Sequence, residues 1–415
     1  MPAGPTGPSS PRRVFDRTGV RWLCYQRGLA ELDFAASEKR TEWPLGAQAI
    51  SLCSDIPLLL FQIPKMLTSL RLHNFRCFEG LSVDIGPRLN LFLGGNGEGK
   101  TTILEGVCVL LRLQSQRSAS LAPVIQTGKK SFGVRGRFEE HELEFRYRAL
   151  RRQVRFDGVE QRTLGEYLRL GRVVSLANVD IELVRGGSDA RRRYLDFLGL
   201  QIDNAYRPAL RAYERALRAR NALLKSPTAR PREVAAYDAP LIQHGQVLLR
   251  LRAELSELLA PLAAHAYRRI SAAREKFTLQ FVPGTSADFE GDLERSHRES
   301  IRLRQTMVGP HRDDLELRVD NFPAAQFGSE GQQRSIVLAM KIAQAEVLKK
   351  SGDKKAPLLL IDDIFGELDP ERRNALLDSL PPDSQKLVTA TAMPWRDEII
   401  ADIIYELCDR RLRRL

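Results

Sequence analysis

Two short apolar runs organise the chain. Residues 89–93, LNLFL, read as a short buried strand. Residues 358–361, LLLI, follow Pro357 and end in two carboxylates, which predicts a parallel strand buried on both faces with acids at its carboxyl end. Helical spacing replaces this pattern in residues 102–113, where Ile103, Leu104, Val107, Leu110 and Leu111 recur, and in residues 334–349, with Ile336, Ala339, Met340, Ala343 and Val347. Residues 67–75 and 81–85 predict strands leading into 89–93, and residues 386–388 a further apolar strand. Between 133 and 159, Val134, Phe138, Leu143, Phe145 and Tyr147 alternate with charged positions, as in hairpins. From 188 to about 300 the pattern becomes that of long helices, 190–200, 205–225 and 232–276, interrupted by SPTARP at 226–231. Antiparallel helices joined by that breaker would form a lobe inserted in the α/β part.

The segment between the strand at 89–93 and the helix at 102–113 is GGNGEGKTT, comprising Gly94, Gly95, Asn96, Gly97, Glu98, Gly99, Lys100, Thr101 and Thr102. It satisfies the Gly-x-x-x-x-Gly-Lys-Ser/Thr pattern of a phosphate-binding loop in the required strand–loop–helix context. Glycines let successive N–H groups turn inward on an anion, and the helix adds its positive N-terminal end. Lys100 would reach the β- and γ-phosphates, and the Thr101 hydroxyl would ligate Mg²⁺. At the end of the strand at 358–361, Asp362 is placed to hold Mg²⁺, and Asp363 to orient or deprotonate the attacking water. Lys100, Asp362 and Asp363 are therefore the candidate catalytic residues.

A third motif, FGSEGQQ at 327–333, precedes the helix at 334–349. A Ser and a Gly at a helix N-terminus make a second anion site, and one chain has no use for two such sites on the same γ-phosphate. Ser329, Gly331 and Gln332 are thus expected to serve the ATP of a second protomer.

These residues resemble the ATP-binding-cassette heads of chromosome-maintenance ATPases, whose signature has the form Leu-Ser-Gly-Gly-Gln. Ser329, Gly331 and Gln332 match it, whereas Gly328 and Glu330 depart. Within that superfamily the chain is most similar to the RecF family. The markers are LRLHNFRCFEGLSVDI from Leu70, ARRRYLDFLGL from Ala190, RALRARNALLK from Arg215, VGPHRDDLELRV from Val308, FGSEGQQRS, and DDIFGELDPERR from Asp362. GPHRDD is the most specific of these, since transporter cassettes and long coiled-coil proteins lack it. The inserted helices are also too short for a chromosome-condensing arm.

The resemblance implies an α/β fold, an ABC/SMC-type P-loop ATPase head with an inserted helical lobe. Residues 1–65 would be an N-terminal extension, 66–187 the first part of the head, 188–300 the helical lobe, and 301–415 the rest of the head. It further implies ATP and Mg²⁺ as cofactors and two protomers sharing split sites in an ATP-closed homodimer. Double-stranded or gapped DNA and the RecO and RecR proteins are the implied partners, in the cytoplasm, with slow ATP hydrolysis opening the dimer. The implied roles are gap repair, recombinase loading and SOS induction. Asp369 would contact the opposite protomer near the nucleotide, with a helix N-cap as its other reading. Arg76 would touch the nucleotide. Thr389 and Thr391 stand where transporter cassettes carry a His after the strand at 386–388. The glutamine loop has no clear counterpart, and its best positional candidate, 175–180, lacks Gln. His311 in GPHRDD is a marker for which a structural role weighs at least as much as a catalytic one.

Composition adds a partner class. The formal net charge is +12, and residues 1–65 hold eight Lys/Arg against six Asp/Glu, so the excess belongs to the remainder. Such a surface attracts phosphodiester backbones in a salt-sensitive, sequence-independent way. The candidate clusters are Arg148, Arg151, Arg152 and Arg155; Arg191, Arg192 and Arg193; Arg211, Arg215, Arg218 and Arg220; and Arg410, Arg411, Arg413 and Arg414. Five cysteines without C-x-x-C or metal-ligand spacing predict reduced, structural thiols. No apolar stretch approaches the length of a bilayer span. Residues 1–65 open with MPAGPTGPSSPRR and show no sustained periodicity, which predicts disorder. Asp16, Glu31, Asp33, Glu38 and Glu42 argue against a transit peptide, and translation is expected to start at Met66, where the resemblance begins.

Overall fold

The computed structural model describes residues 66–118, 120–228, 230–271, 275–351, 356–393 and 401–415. The expectations for residues 1–65 lie outside them.

The apolar runs build the central sheet. Strands β3 (Leu89–Gly94), β8 (Val173–Ala177), β12 (Leu358–Asp362), β13 (Lys386–Ala390) and β14 (Ile403–Cys408) are parallel, and β15 (Arg411–Arg414) closes one edge antiparallel to β14. Their order is β15-β14-β3-β13-β12-β8. On β12, Leu358 and Leu360 enter one core while Leu359 and Ile361 enter the other. Both faces of the strand are covered, which is why it reads as a continuous apolar run.

One face is covered by α1 (Lys100–Arg112), which is itself roofed by a second sheet. That sheet is antiparallel, in the order β2-β1-β4-β5-β6-β7. It comprises β1 (Leu67–Phe75), β2 (Phe78–Asp84), β4 (Ser131–Phe138), β5 (His141–Arg148), β6 (Arg151–Phe156) and β7 (Val159–Glu160). The alternation at 133–159 thus becomes hairpins, and Val134, Leu143, Phe145 and Tyr147 face the core. Caught between two sheets, α1 is buried all round, including Cys108 and Val109. Each fully buried Leu or Val there contributes roughly 1.5–3 kcal/mol. Short helices α2 (Gly165–Leu170) and α3 (Glu182–Arg185) flank β8.

The other face carries the helices: α4 (Ser188–Ile202), α5 (Tyr206–Lys225), α6 (Pro231–Ala235) and α7 (Asp238–Ile270), with α5 packed against α7. After β12 comes α12 (Pro370–Ser379); α11 (Glu330–Lys350) packs along α7 and joins the helical lobe to the head. Three details differ from the sequence reading. The helix expected over 232–276 is divided, with a break at Ala236 and Tyr237 between α6 and α7. The chain from Phe277 is a strand, β9 (Phe277–Val282), paired antiparallel with β10 (Asp314–Val319), which also pairs with β11 (Phe322–Pro323). Phe277 and Leu279 are buried at strand spacing, so period two wins over the preceding helical run. The expected boundary at 300 falls inside α9 (His297–Leu303), which follows α8 (Phe289–Arg295), and it separates β9 from β10. The remaining helix, α10 (Ala324–Phe327), leads into α11.

Candidate functional site

The parallel strands deliver their carboxyl ends to one edge, where the phosphate loop follows β3. Gly94, Gly97 and Gly99 have φ of 155°, 87° and 107°, in or at the limit of the region that disfavours side chains. A Cβ on Gly94 would lie 2.5 Å from the Leu407 carbonyl oxygen, and one on Gly99 2.7 Å from the Phe78 ring. The loop is thus wedged between β14 and β2. Gly95, Asn96 and Gly97 form its exposed tip, and Glu98 accepts the Arg410 backbone N–H at 3.0 Å. The Thr102 N–H closes the first turn of α1 on the Gly99 carbonyl at 2.9 Å.

Lys100 is buried at 6% exposure, and its Nζ donates to the Gly94 and Gly95 carbonyls at 2.7 and 2.9 Å. The ammonium therefore lies inside the loop. Two hydroxyls, Thr101 Oγ1 and Thr389 Oγ1, both donate to Asp362 Oδ1, at 2.9 and 2.7 Å. The register of β13 beside β12 places Thr389 directly opposite Asp362. Hydroxyl and carboxylate oxygens at the mouth of a phosphate loop suit Mg²⁺, which is usually held by one or two protein oxygens plus substrate phosphates. The glycine cradle and the lysine suit the phosphates themselves.

Asp363 turns out of the strand with φ 50°, held by its N–H to the Thr389 carbonyl at 3.1 Å and Oγ1 at 3.0 Å. Burial raises its carboxyl above the ordinary carboxylate range; Lys100 opposes the rise and Asp362 adds to it. A carboxylate so placed is a better proton acceptor than an exposed one. Neither acid caps the following helix. Asn178, just beyond β8, donates to the Asp363 carbonyl at 3.2 Å, so the 175–180 segment reaches this edge through Asn.

The signature motif starts α11. Ser329 is its N-cap: the hydroxyl accepts the Gln332 N–H at 3.3 Å, and Gln332 Oε1 accepts the Ser329 N–H at 2.6 Å. Gln332 also donates to Glu275 at 2.7 Å. A Cβ on Gly331 would lie 2.8 Å from the Arg372 guanidinium. Asp369 caps α12, accepting the Arg372 N–H at 2.8 Å and pairing with that guanidinium, with Pro370 in the first turn. No hydrogen bond joins Ser329, Gly331 or Gln332 to residues 94–102 among the described residues.

Within GPHRDD, Gly309, Pro310 and Asp313 are buried, His311 and Asp314 are half-buried and Arg312 is exposed, and the motif forms a charged hub. Arg252, from the middle of α7, pairs with Asp313 and Asp196, each at 2.7 Å, and donates to the Pro310 carbonyl at 2.6 Å and the Tyr206 hydroxyl at 3.1 Å. Arg191 grips Asp314 through Nε at 2.6 Å and a second nitrogen at 3.0 Å, and Arg192 donates to the Asp313 carbonyl at 2.8 Å. His311 Nε2–H donates to the Thr306 carbonyl at 3.0 Å, leaving Nδ1 to accept the Tyr213 hydroxyl at 2.7 Å. Burial pushes this imidazole down to about 4, so it is neutral at physiological pH. The motif ties α4, α5 and α7 together and is structural.

Several sequence candidates are thereby reassigned. Arg191 and Arg192 are committed to the hub, and Arg220 is fully buried, paired with Asp238 at 2.8 Å; these three do not form a DNA-facing surface. Arg76 grips the buried Glu105 at 2.7 and 2.9 Å rather than facing the phosphate loop freely. Arg148, Arg151, Arg152, Arg211, Arg215 and the β14–β15 arginines remain exposed. No described helix is long and apolar enough to cross a membrane. Among the described cysteines, Cys77, Cys108 and Cys408 are free thiols. Thr389 is the residue that sequence reasoning undervalued. In sequence it stands out only for the His it replaces, and the signal that marks it is its position opposite Asp362.

Fold and site together define an ABC/SMC-type P-loop ATPase head. A family model described as an AAA domain matches residues 69–181. The DNA replication and repair protein RecF of a Synechococcus species is 35% identical over 346 residues, covering 78% of this chain and 91% of that protein. Its counterpart in Gloeobacter violaceus is 36% identical over 350 residues, covering 80% and 93%. A solved structure of the recombination mediator protein RecF with ATP, in the RecFOR pathway, matches with a TM-score of 0.76 at 25% identity, covering 85% of this chain and 98% of that one. The chain belongs to the RecF family.

Proposed function

We propose that this chain is an ATP-dependent DNA-binding recombination mediator, acting in DNA repair and replication. The observation that carries the reading is the convergence of Lys100, Thr101, Asp362 and Asp363 on one sheet edge, while Ser329 and Gly331 start a separate helix. Residues 94–102 bind the ATP phosphates. Thr101 and Asp362 hold Mg²⁺, which screens phosphate charge when bound. Asp363 orients the water that attacks the γ-phosphate. Ser329, Gly331, Gln332 and Asp369 act on the nucleotide of a partner protomer, so ATP closes a two-fold dimer with two split sites, and hydrolysis opens it. Asp is shorter than the Glu usual in cassettes, so turnover is slow. The exposed arginines hold duplex or gapped DNA. RecO and RecR proteins are the partners in gap repair, recombinase loading and SOS induction, in the cytoplasm.

The test is the steady-state ATPase rate of the full chain against protein concentration, with and without duplex DNA, at low and raised salt. The expected rate is slow, rises more than linearly with protein, and rises further with DNA in a salt-sensitive way. Lys100→Arg should retain some nucleotide binding and lose on the order of a hundredfold in rate, since a planar fork does not replace the point charge. A rate proportional to protein and indifferent to DNA, or normal hydrolysis by the variant, would overturn the reading.

A further inference from the structure

Three arginines meet in a cleft remote from the phosphate loop. A cavity of about 180 Å³ opens between the end of the β5–β6 hairpin, the loop after α1, the end of α4 and the first half of α5. Arg152, Arg207 and Arg211 line it, with Leu200 and Leu210 among its apolar walls. The acid in its lining, Glu214, lies 3.5 Å from Arg218, outside the cleft. None of the three arginine side chains forms a hydrogen bond or ion pair with a described residue. The buried or half-buried Arg76, Arg191, Arg220 and Arg252, by contrast, all reach carboxylates.

The three guanidiniums also repel one another. Burial, then Arg211 and Arg152, hold Arg207 down to about 10. Behind them Arg112, in the last turn of α1, donates to the Leu168, Gly171 and Leu200 carbonyls and adds positive field to the cleft. Three guanidiniums lining one cleft against a single carboxylate offer the paired N–H donors that a phosphate accepts.

We propose that this cleft is a phosphate-binding site. Its ligand is a phosphodiester of a DNA backbone or a free phosphate anion, and the inference rests on the DNA-binding reading only for the first of these sources. A bound anion would relieve the repulsion and brace the head's hairpin sheet against the helical lobe. It would do so at the opposite end of α1 from the phosphate loop.

The test uses the full chain and its Arg152→Gln, Arg207→Gln and Arg211→Gln variants in two assays. One is duplex DNA binding across a salt series. The other is the rise in Tm on adding inorganic phosphate, with Mg-ADP saturating so that the phosphate loop is filled throughout. With a DNA phosphate in the cleft, each variant binds duplex several-fold more weakly, and the slope of log K against log salt becomes shallower by roughly 1 per arginine. Arg207→Lys recovers most of the salt slope. With a free anion, DNA binding is unchanged but the phosphate-dependent rise in Tm shrinks in all three Gln variants. Arg207→Gln should melt no lower than wild type in phosphate-free buffer, since it removes repulsion, and Arg152 and Arg211 are exposed enough to replace without unfolding. If wild type binds DNA and none of the variants alters either assay, the cleft is not a phosphate site while the DNA-binding reading stands. If wild type binds no DNA, that reading fails and the Tm assay alone decides the cleft.

Discussion

The phosphate-loop edge and the GPHRDD hub are both dense in charge, yet they use it in opposite ways. Around Arg252, each neighbouring carboxylate has a guanidinium or backbone partner, the imidazole of His311 has a partner on each nitrogen, and little solvent enters. At the loop, Lys100 is held by carbonyls alone, two hydroxyls crowd one oxygen of Asp362, and Asp363 sits in a strained turn with a raised carboxyl. A saturated network holds elements in place. A network short of counter-charges is ready to receive a ligand that brings them. The GPHRDD hub is therefore the less chemical of the two.

Three perturbations would break or sharpen that contrast. The largest effect is expected at the hub: Asp313→Asn leaves Arg252 with a weakened buried partner and should cost about 3–5 kcal/mol of stability, measured by urea unfolding. Nucleotide affinity of the remaining folded protein should be nearly normal. A loss of nucleotide binding without a loss of stability would erase the distinction.

Next comes pH. His311 titrates near 4 when folded and near 6.5 when unfolded, so between those values the unfolded state binds the extra proton. Stability should be fully present above 6.5 and fall as pH drops through 6.5 towards 4, by up to about 3 kcal/mol. His311→Gln should flatten that part of the Tm profile; an unchanged profile would mean the imidazole is not held neutral.

The smallest effect is expected at the loop edge. Thr389→Val removes one hydroxyl from Asp362 and one acceptor from the Asp363 N–H, about 1–2 kcal/mol of positioning, or roughly tenfold in the half-saturating Mg²⁺ concentration for ATPase. A shift in Tm with no change in Mg²⁺ dependence would make Thr389 merely structural.

The parallel strands and the phosphate loop were legible because burial on both faces leaves an uninterrupted apolar run and because the glycine spacing is dictated by backbone geometry. β9 was not, since its six residues follow a long helical run and its partner β10 lies beyond two further helices. The break between α6 and α7 has no glycine, and Pro261 lies inside α7 without ending it, so the usual punctuation misleads here. Arginine clusters were least legible. Arg191, Arg192 and Arg220 look like surface charge in sequence, and only three dimensions show the acids they meet.

The wedge of β14 against the phosphate loop has a further consequence, in the order of synthesis. Gly94 lies against Leu407, and Glu98 is tied to Arg410 across 312 residues of sequence. A nascent chain emerges from the ribosome with its phosphate loop unsupported until the strand that braces it, some 312 residues further along, has been made. The shape of the loop thus waits on β14, so a product truncated before that strand would carry the motif in full and lack the brace that shapes it.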